Sequence, residues 1–293
     1  MLKLALVVLP RWFGSPIIIA SVVLGYVVSE ELSLNVIYPI LSALFMMAYA
    51  HCGNTLLDWS WTGLDKGEPD ERSKPKPYTS GQQAIASGAM TPQQVGIVAL
   101  CWLALSAWFM FVTVVVSDSL WVVPIWFASV FITAWYSWGK LHWMPEVALG
   151  VGFGPLAALL GAAATQDPNW LHAVLASLPI ALIFGGAAEI YDQWFDAEAN
   201  WDRGLRNIGA WVWKRNIPVK NIVALFVMLT FLAQGILVAV DVLSSMTILT
   251  VPAALSLFVI GYAQKRKPWA VNLLLGGVFY YCVALAVGQV IRP

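Results

Sequence analysis

The sequence predicts an all-α integral membrane protein, a single domain over 1–293 built as a bundle of nine transmembrane helices around a central cavity. Three observations lead there. Hydrophobic residues make up 60% of the chain and charged residues 11%, where a soluble domain carries about a quarter charged residues. The apolar residues gather into runs of membrane-crossing length, since such a helix needs roughly 20 of them. The basic residues gather in the connections on one side.

The runs cover about 14–29, 34–53, 94–116, 119–138, 146–165, 171–190, 218–240, 246–264 and 269–289. None alternates in the way of a membrane barrel strand. Nine crossings put the N-terminus and the even-numbered connections on one side. That side collects Lys3, Arg11, Lys66, Arg72, Lys74, Lys76, Lys140, Arg203, Arg206, Lys214, Arg215, Lys220, Lys265, Arg266 and Lys267, and leaves Arg292 alone on the other. Because basic loops stay inside, this asymmetry predicts a cytoplasmic N-terminus, in the cell membrane. The opposite connections are short and acidic or neutral: SEELS at 29–33, SDS at 117–119, TQDPN at 165–169 and DVLSS at 241–245. The basic side has two long loops, about 55–93 and 191–217, and long loops in a compact membrane domain carry function.

Composition excludes several classes. A net charge of zero argues against a nucleic-acid partner. Cys52, Cys101 and Cys282 are scattered, without a CxxC pair, and read as small apolar residues. No small-residue cleavage site follows the first apolar run, so no removable signal peptide is expected. His142 and His172 fall on opposite sides and form no single zinc site, while His51 reads as a buried, hydrogen-bonded histidine. A transporter would carry polar sites near the midplane between broken, repeated helices, whereas here the charges sit at helix ends on one side.

The charge concentrates in Asn54–Gly81, which holds five of the chain's sixteen acidic residues and four of its sixteen basic ones. Asn54 and Asp58 are four apart and Asp65 is seven further, so a helix continuing from the second run puts all three on one face. Gly63, Gly67 and Pro69 bring the end of that helix close to Asp65. Glu189, Asp192 and Asp196 at the end of the sixth run are spaced three and four, and share a face too. Carboxylates crowded in this way repel one another unless a cation joins them. Oxygen donors suit Mg²⁺, which takes one or two carboxylates together with substrate phosphate oxygens. The expected metal set is Asn54, Asp58, Asp65, Glu189, Asp192 and Asp196. The nearby cations Arg72, Lys74, Lys76, Lys140, Arg203 and Arg206 fit a diphosphate, which Arg grips with two donors and Lys with a point charge. Salt bridges at a wet helix end are the plainer account of the same charges.

These residues resemble a family. NTLLDWSWTGLDKGEPDERSKP, with Asn54, Asp58 and Asp65, is similar to the first motif of the UbiA superfamily of intramembrane prenyltransferases, and its wide Asp58-to-Asp65 gap resembles the menaquinone-type branch. MPEVALGVGFGPLAALLGAA from Met144 and AEIYDQWFDAEANWDRGLRNIG from Ala188 look like two further segments of that branch. The resemblance implies Mg²⁺ and an isoprenyl diphosphate at the cytoplasmic helix ends, with Asn54, Asp65, Arg72, Lys74, Lys140 and Arg203 around the diphosphate. It implies catalytic roles for Asp58, Asp192 and Arg72, and for Tyr191, which stands where the branch has Arg. It also implies an aromatic, quinone-precursor-like acceptor. The chain departs from the branch at Ala188–Tyr191, where the acceptor is expected, so a membrane terpene cyclase without an acceptor is the alternative. Sixteen Trp residues suit stabilisation of an allylic cation by aromatic faces, with Trp59 and Trp194 inside the acidic clusters.

Overall fold

The computed structural model describes residues 3, 5–6, 9–64, 83–86, 88–202, 204–253 and 268–291. Asp65, Arg72, Lys74, Lys76 and Arg203, the side chain of Asp196 and most of the eighth apolar run lie outside the described residues. Among the described residues the chain is helical throughout, with no strand.

The main helices are α1 (Ser15–Val27), α2 (Ile37–Ser60), α3 (Pro92–Ser117), α4 (Val122–His142), α5 (Pro145–Ala163), α6 (170–200), α7 (Ile208–Lys214), α8 (Val219–Ala239) and α9 (Pro268–Val290). Their boundaries follow local chemistry. Thr91 and Gln94 form a reciprocal capping box ahead of α3, with Pro92 in its first turn. Asn169 accepts the His172 amide at the start of α6. α2 stops at Ser60, and Gly63 follows at φ 70, a conformation open to glycine. Asn54 and Asp58 lie on α2, and Asp65 falls outside the described residues.

Seven helices are long and apolar enough to cross a bilayer, and Trp12–Val27 is a shorter apolar helix. The chain is a multi-pass integral membrane protein. Its outward faces agree: Ile97, Leu100, Trp108, Phe111 and Val115 on α3 are 56–63% exposed. An apolar stripe of that size belongs against lipid. Polar groups turn inward instead. Ser42 Oγ donates to the Ser106 carbonyl at 3.0 Å and Ser106 Oγ to the Ser42 carbonyl at 2.8 Å, clamping α2 to α3.

Close helix approaches need glycine. A Cβ on Gly161 would lie 2.0 Å from the Val22 carbonyl oxygen, and one on Gly185 2.6 Å from that of Glu146. These set the α1–α5 and α5–α6 crossings. Both partner helices carry a π-turn: Gly152–Leu156 in α5, around Pro155, and Leu182–Ala188 in α6, just after Pro179. Proline removes a ladder donor, and a widened turn absorbs the loss. The π-turn in α6 ends directly at Glu189.

Candidate active site

The bundle surrounds a cavity, open on one part of its surface, walled by α1, α2, α4, α5 and α6 with Leu275 of α9. Its charged and amide groups, with His51, fall ahead of α1 and toward the C-terminal ends of α2 and α6: Arg11, His51, Asn54, Glu189 and Asp192. Phe13, Trp126, Phe153 and Phe184 are among the apolar and aromatic residues of the remainder. Helical spacing explains the lining. Ala43, Met46, Met47, Ala50, His51 and Asn54 recur every three to four residues along α2, as do Trp126, Ser129, Ile132/Thr133 and Tyr136 along α4.

The first acidic half is Asn54 and Asp58 on α2, facing α4. Asn54 Oδ1 accepts from Ser137 Oγ at 3.0 Å and from Lys140 Nζ at 3.0 Å. Lys140 Nζ also pairs with Asp58 Oδ2. Asp58 is 1% exposed and Lys140 6%. A buried carboxylate requires such compensation. Lys140 therefore acts as the internal counter-ion of Asp58, and Asn54 links this pair to the cavity.

The second half is on α6. Glu189 Oε1 accepts from Tyr136 Oη at 2.9 Å and from Gln193 Nε2 at 2.6 Å. Gln193 Oε1 accepts from Asn207 Nδ2 at 2.9 Å, and Asn207 Oδ1 caps α7 through the Ala210 amide at 2.7 Å. The two halves meet at Tyr136, whose hydroxyl donates to Glu189. Lys140 Nζ lies 4.9 Å from the centroid of the same ring.

Arg11 stands at the mouth with Nε and Nη2 buried and without a hydrogen-bond partner, as is His51 Nε2 nearby. A buried guanidinium holding free donors over a cavity is arranged for an anion. Arg11 also adopts φ 50, a costly conformation for a non-glycine residue, which is retained only where the surroundings enforce it.

The structure thus brings Asn54, Glu189 and Asp192 to one cavity, while Asp58 and Lys140 are buried behind Asn54 and outside the cavity lining. Tyr191 lies elsewhere, 2% exposed in an apolar cluster with Val212, Val219 and Tyr281, its hydroxyl buried without a partner. Trp59 packs against the α2–α3 cluster and Trp194 against the cluster that holds Tyr191. Arg206 is structural: its guanidinium donates to the Trp201 and Leu205 carbonyls and stacks 4.4 Å over the Trp201 ring. The Arg206 amide donates to the Lys140 carbonyl at 2.7 Å, pinning the 201–217 segment to the end of α4. Glu146 Oε1 accepts the Ile208 and Gly209 amides and secures the same segment. Sequence reasoning passed over Tyr136, Gln193 and Trp126, and gave Arg11 no more than its side of the membrane. Tyr136 was legible as the residue one turn before Lys140.

Among the described residues no three His, Cys, Asp or Glu side chains converge as a ready-made metal cage. The acids still fit Mg²⁺, which binds through one or two carboxylates and relies on phosphate oxygens and water for the rest.

No family model matches the chain, and no curated protein matches it by sequence. Solved structures match along nearly its whole length. The apo structure of a UbiA homologue from Aeropyrum pernix K1 aligns over 94% of this chain and 97% of its own, at TM-score 0.67 and 15% identity. A UbiA homologue from Archaeoglobus fulgidus bound to GPP and Mg²⁺ aligns over 98% and 99%, at 0.62 and 16%. A structure of digeranylgeranylglyceryl phosphate synthase aligns over 99% and 98%, at 0.61 and 14%. The chain is therefore an intramembrane helical bundle of a known class, with an acid-rimmed cavity at one end. Its fold is that of the UbiA homologues, and nothing in these matches supports the menaquinone-type branch.

Proposed function

We propose that the protein is a Mg²⁺-dependent intramembrane prenyltransferase that ionises an isoprenyl diphosphate and passes the prenyl group to an aromatic, quinone-precursor-like acceptor. The single observation carrying this reading is the cavity itself: Arg11, Asn54, Glu189 and Asp192 line it together with an apolar, aromatic wall, and the Asp58–Lys140 pair is buried directly behind Asn54. The UbiA homologue bound to GPP and Mg²⁺ has the same fold. The finer expectations belong to this reading: nine crossings, a cytoplasmic N-terminus and site mouth, and Asp65, Asp196, Arg72, Lys74 and Arg203 completing the site.

Asn54, Asp58, Glu189 and Asp192 would hold the Mg²⁺ that accompanies the diphosphate, between α2 and α6. The metal supplies charge neutralisation of the leaving diphosphate. Lys140 turns from Asp58 to the diphosphate oxygens, and Arg11 offers its two free donors to the same group. Positive charge fixed where negative charge develops lowers the barrier to breaking the allylic C–O bond. The bonding electrons leave with the diphosphate, and the allylic cation remains in a chamber that excludes water. Tyr136, Phe153 and Phe184 present aromatic rings to it. The acceptor's ring carbon then forms the new C–C bond and loses its proton. The aromatic lining also suits a second reading, a terpene cyclase in which the cation reacts with its own chain.

The test uses the purified full chain with Mg²⁺ and geranyl, farnesyl and geranylgeranyl diphosphates, with and without dihydroxynaphthoate. Diphosphate release with a prenylated acceptor is expected. A cyclic hydrocarbon formed without acceptor would replace the transferase with the cyclase, and no turnover of any isoprenyl diphosphate would sink both.

A further inference from the structure

We infer that Trp126 sets the length of isoprenyl tail the cavity accepts, with an extended farnesyl group the longest that fits. The inference deepens the proposed function and rests on it.

The acidic rim and Trp126 occupy opposite ends of one helix face. Tyr136, bonded to Glu189, and Trp126 both line the cavity and stand ten residues apart on α4, about 15 Å at the helical rise of 1.5 Å per residue. α2 and α5 line the cavity over stretches of similar length, from Asn54 to Ala43 and from Leu149 to Leu160. That length matches an extended farnesyl chain and falls short of a geranylgeranyl chain.

The intervening wall suits a hydrocarbon. Its two hydroxyls, Ser129 and Thr133, donate to carbonyls of their own helix, Ile125 and Ser129. They present no free donor to the tail. The charged cavity residues all lie at the rim.

Trp126 itself is fixed rather than adaptable. Its indole Nε1 donates to Ser106 Oγ at 2.8 Å, and Ser106 is in turn tied to Ser42 by the reciprocal bonds between α3 and α2. The Phe127 ring meets the indole edge-on at a centroid distance of 5.1 Å. The ring is 7% exposed. Moving it breaks a buried hydrogen bond and leaves the Ser106 hydroxyl short of a donor, so a longer tail does not simply push it aside.

The experiment measures kcat/KM of the full chain with Mg²⁺ for geranyl, farnesyl and geranylgeranyl diphosphates. An apolar pocket discriminates by roughly 10- to 200-fold for one misfitting group, so the unaltered protein favours farnesyl over geranylgeranyl by at least about tenfold. Trp126→Ala erases or reverses that ratio. Trp126→Phe keeps a ring and keeps the preference. Ala43→Leu adds bulk at the same depth and shifts preference from farnesyl to geranyl, which tests the floor even where Trp126→Ala fails to fold. A farnesyl-to-geranylgeranyl ratio unchanged in Trp126→Ala and Ala43→Leu overturns the inference, because the tail then leaves sideways between helices. Absence of turnover by the unaltered protein overturns the proposed function together with it.

Discussion

Lys140→Met is the sharpest test of how the acidic site is held together. In the resting protein the Lys140 ammonium pairs with Asp58, donates to Asn54, and lies with 6% exposure beside a carboxylate of 1% exposure. Removing one partner of a buried pair leaves the other charge uncompensated, at a cost of about 3–5 kcal/mol. A direct Coulomb figure agrees: about 4 kcal/mol at 4 Å with an effective dielectric of 20. At about 2–4 °C per kcal/mol, the melting temperature falls by about 10 °C. The assay is a thermal melt of the detergent-solubilised chain. Adding Asp58→Asn to Lys140→Met removes the orphaned charge and recovers most of the loss. Mg²⁺ with inorganic diphosphate raises the melting temperature of Lys140→Met more than that of the unaltered protein, because the metal restores compensation at Asp58. A Lys140→Met variant melting within about 2 °C of the unaltered protein would refute the counter-ion role. So would a double variant no more stable than the single one.

Other outcomes follow from the same geometry. Asp58→Ala and Asp192→Ala each lower kcat by about a thousandfold, some 4 kcal/mol of transition-state stabilisation, while size-exclusion elution stays that of the folded protein; near-full activity in either removes the two-cluster site. Chelation by EDTA abolishes diphosphate release, and Mg²⁺ restores it better than Ca²⁺, whose larger coordination sphere suits the diphosphate geometry less well. Arg11→Ala raises KM for the isoprenyl diphosphate with melting temperature unchanged, since the guanidinium donors Nε and Nη2 have no internal partner to lose; an unchanged KM places the anion elsewhere. Gly161→Leu abolishes folded yield in detergent, because even a Cβ there lies 2.0 Å from the Val22 carbonyl oxygen.

Much of the site was legible because helical periodicity is local. Spacing alone placed Asn54 with Asp58 and Glu189 with Asp192, and the apolar runs located the helices that carry them. Asp65 lies outside the described residues, beyond the end of α2 at Ser60. Tyr191 was placed near the acceptor by position in a motif, and its ring turns into the packed core instead. A π-turn immediately before Glu189 adds a residue to the helical turn, which rotates every later side chain by roughly 100° relative to an ideal helix. No local propensity announces that offset, since it arises from Pro179 and from the tight approach of Gly185 to α5.

The sequence by itself determined a membrane-crossing helical chain, the one-sided gathering of its charges, and the two acidic spacings, because composition and periodicity are properties of neighbouring residues. The tertiary structure decided which groups face one another: Lys140 with Asp58 across 82 residues, Tyr136 with Glu189 across 53, Trp126 with Ser106 across 20. It also decided where the cavity ends. Those pairings depend on how helices cross, and the crossings are set by glycine contacts and widened turns whose effect appears only once distant helices pack together.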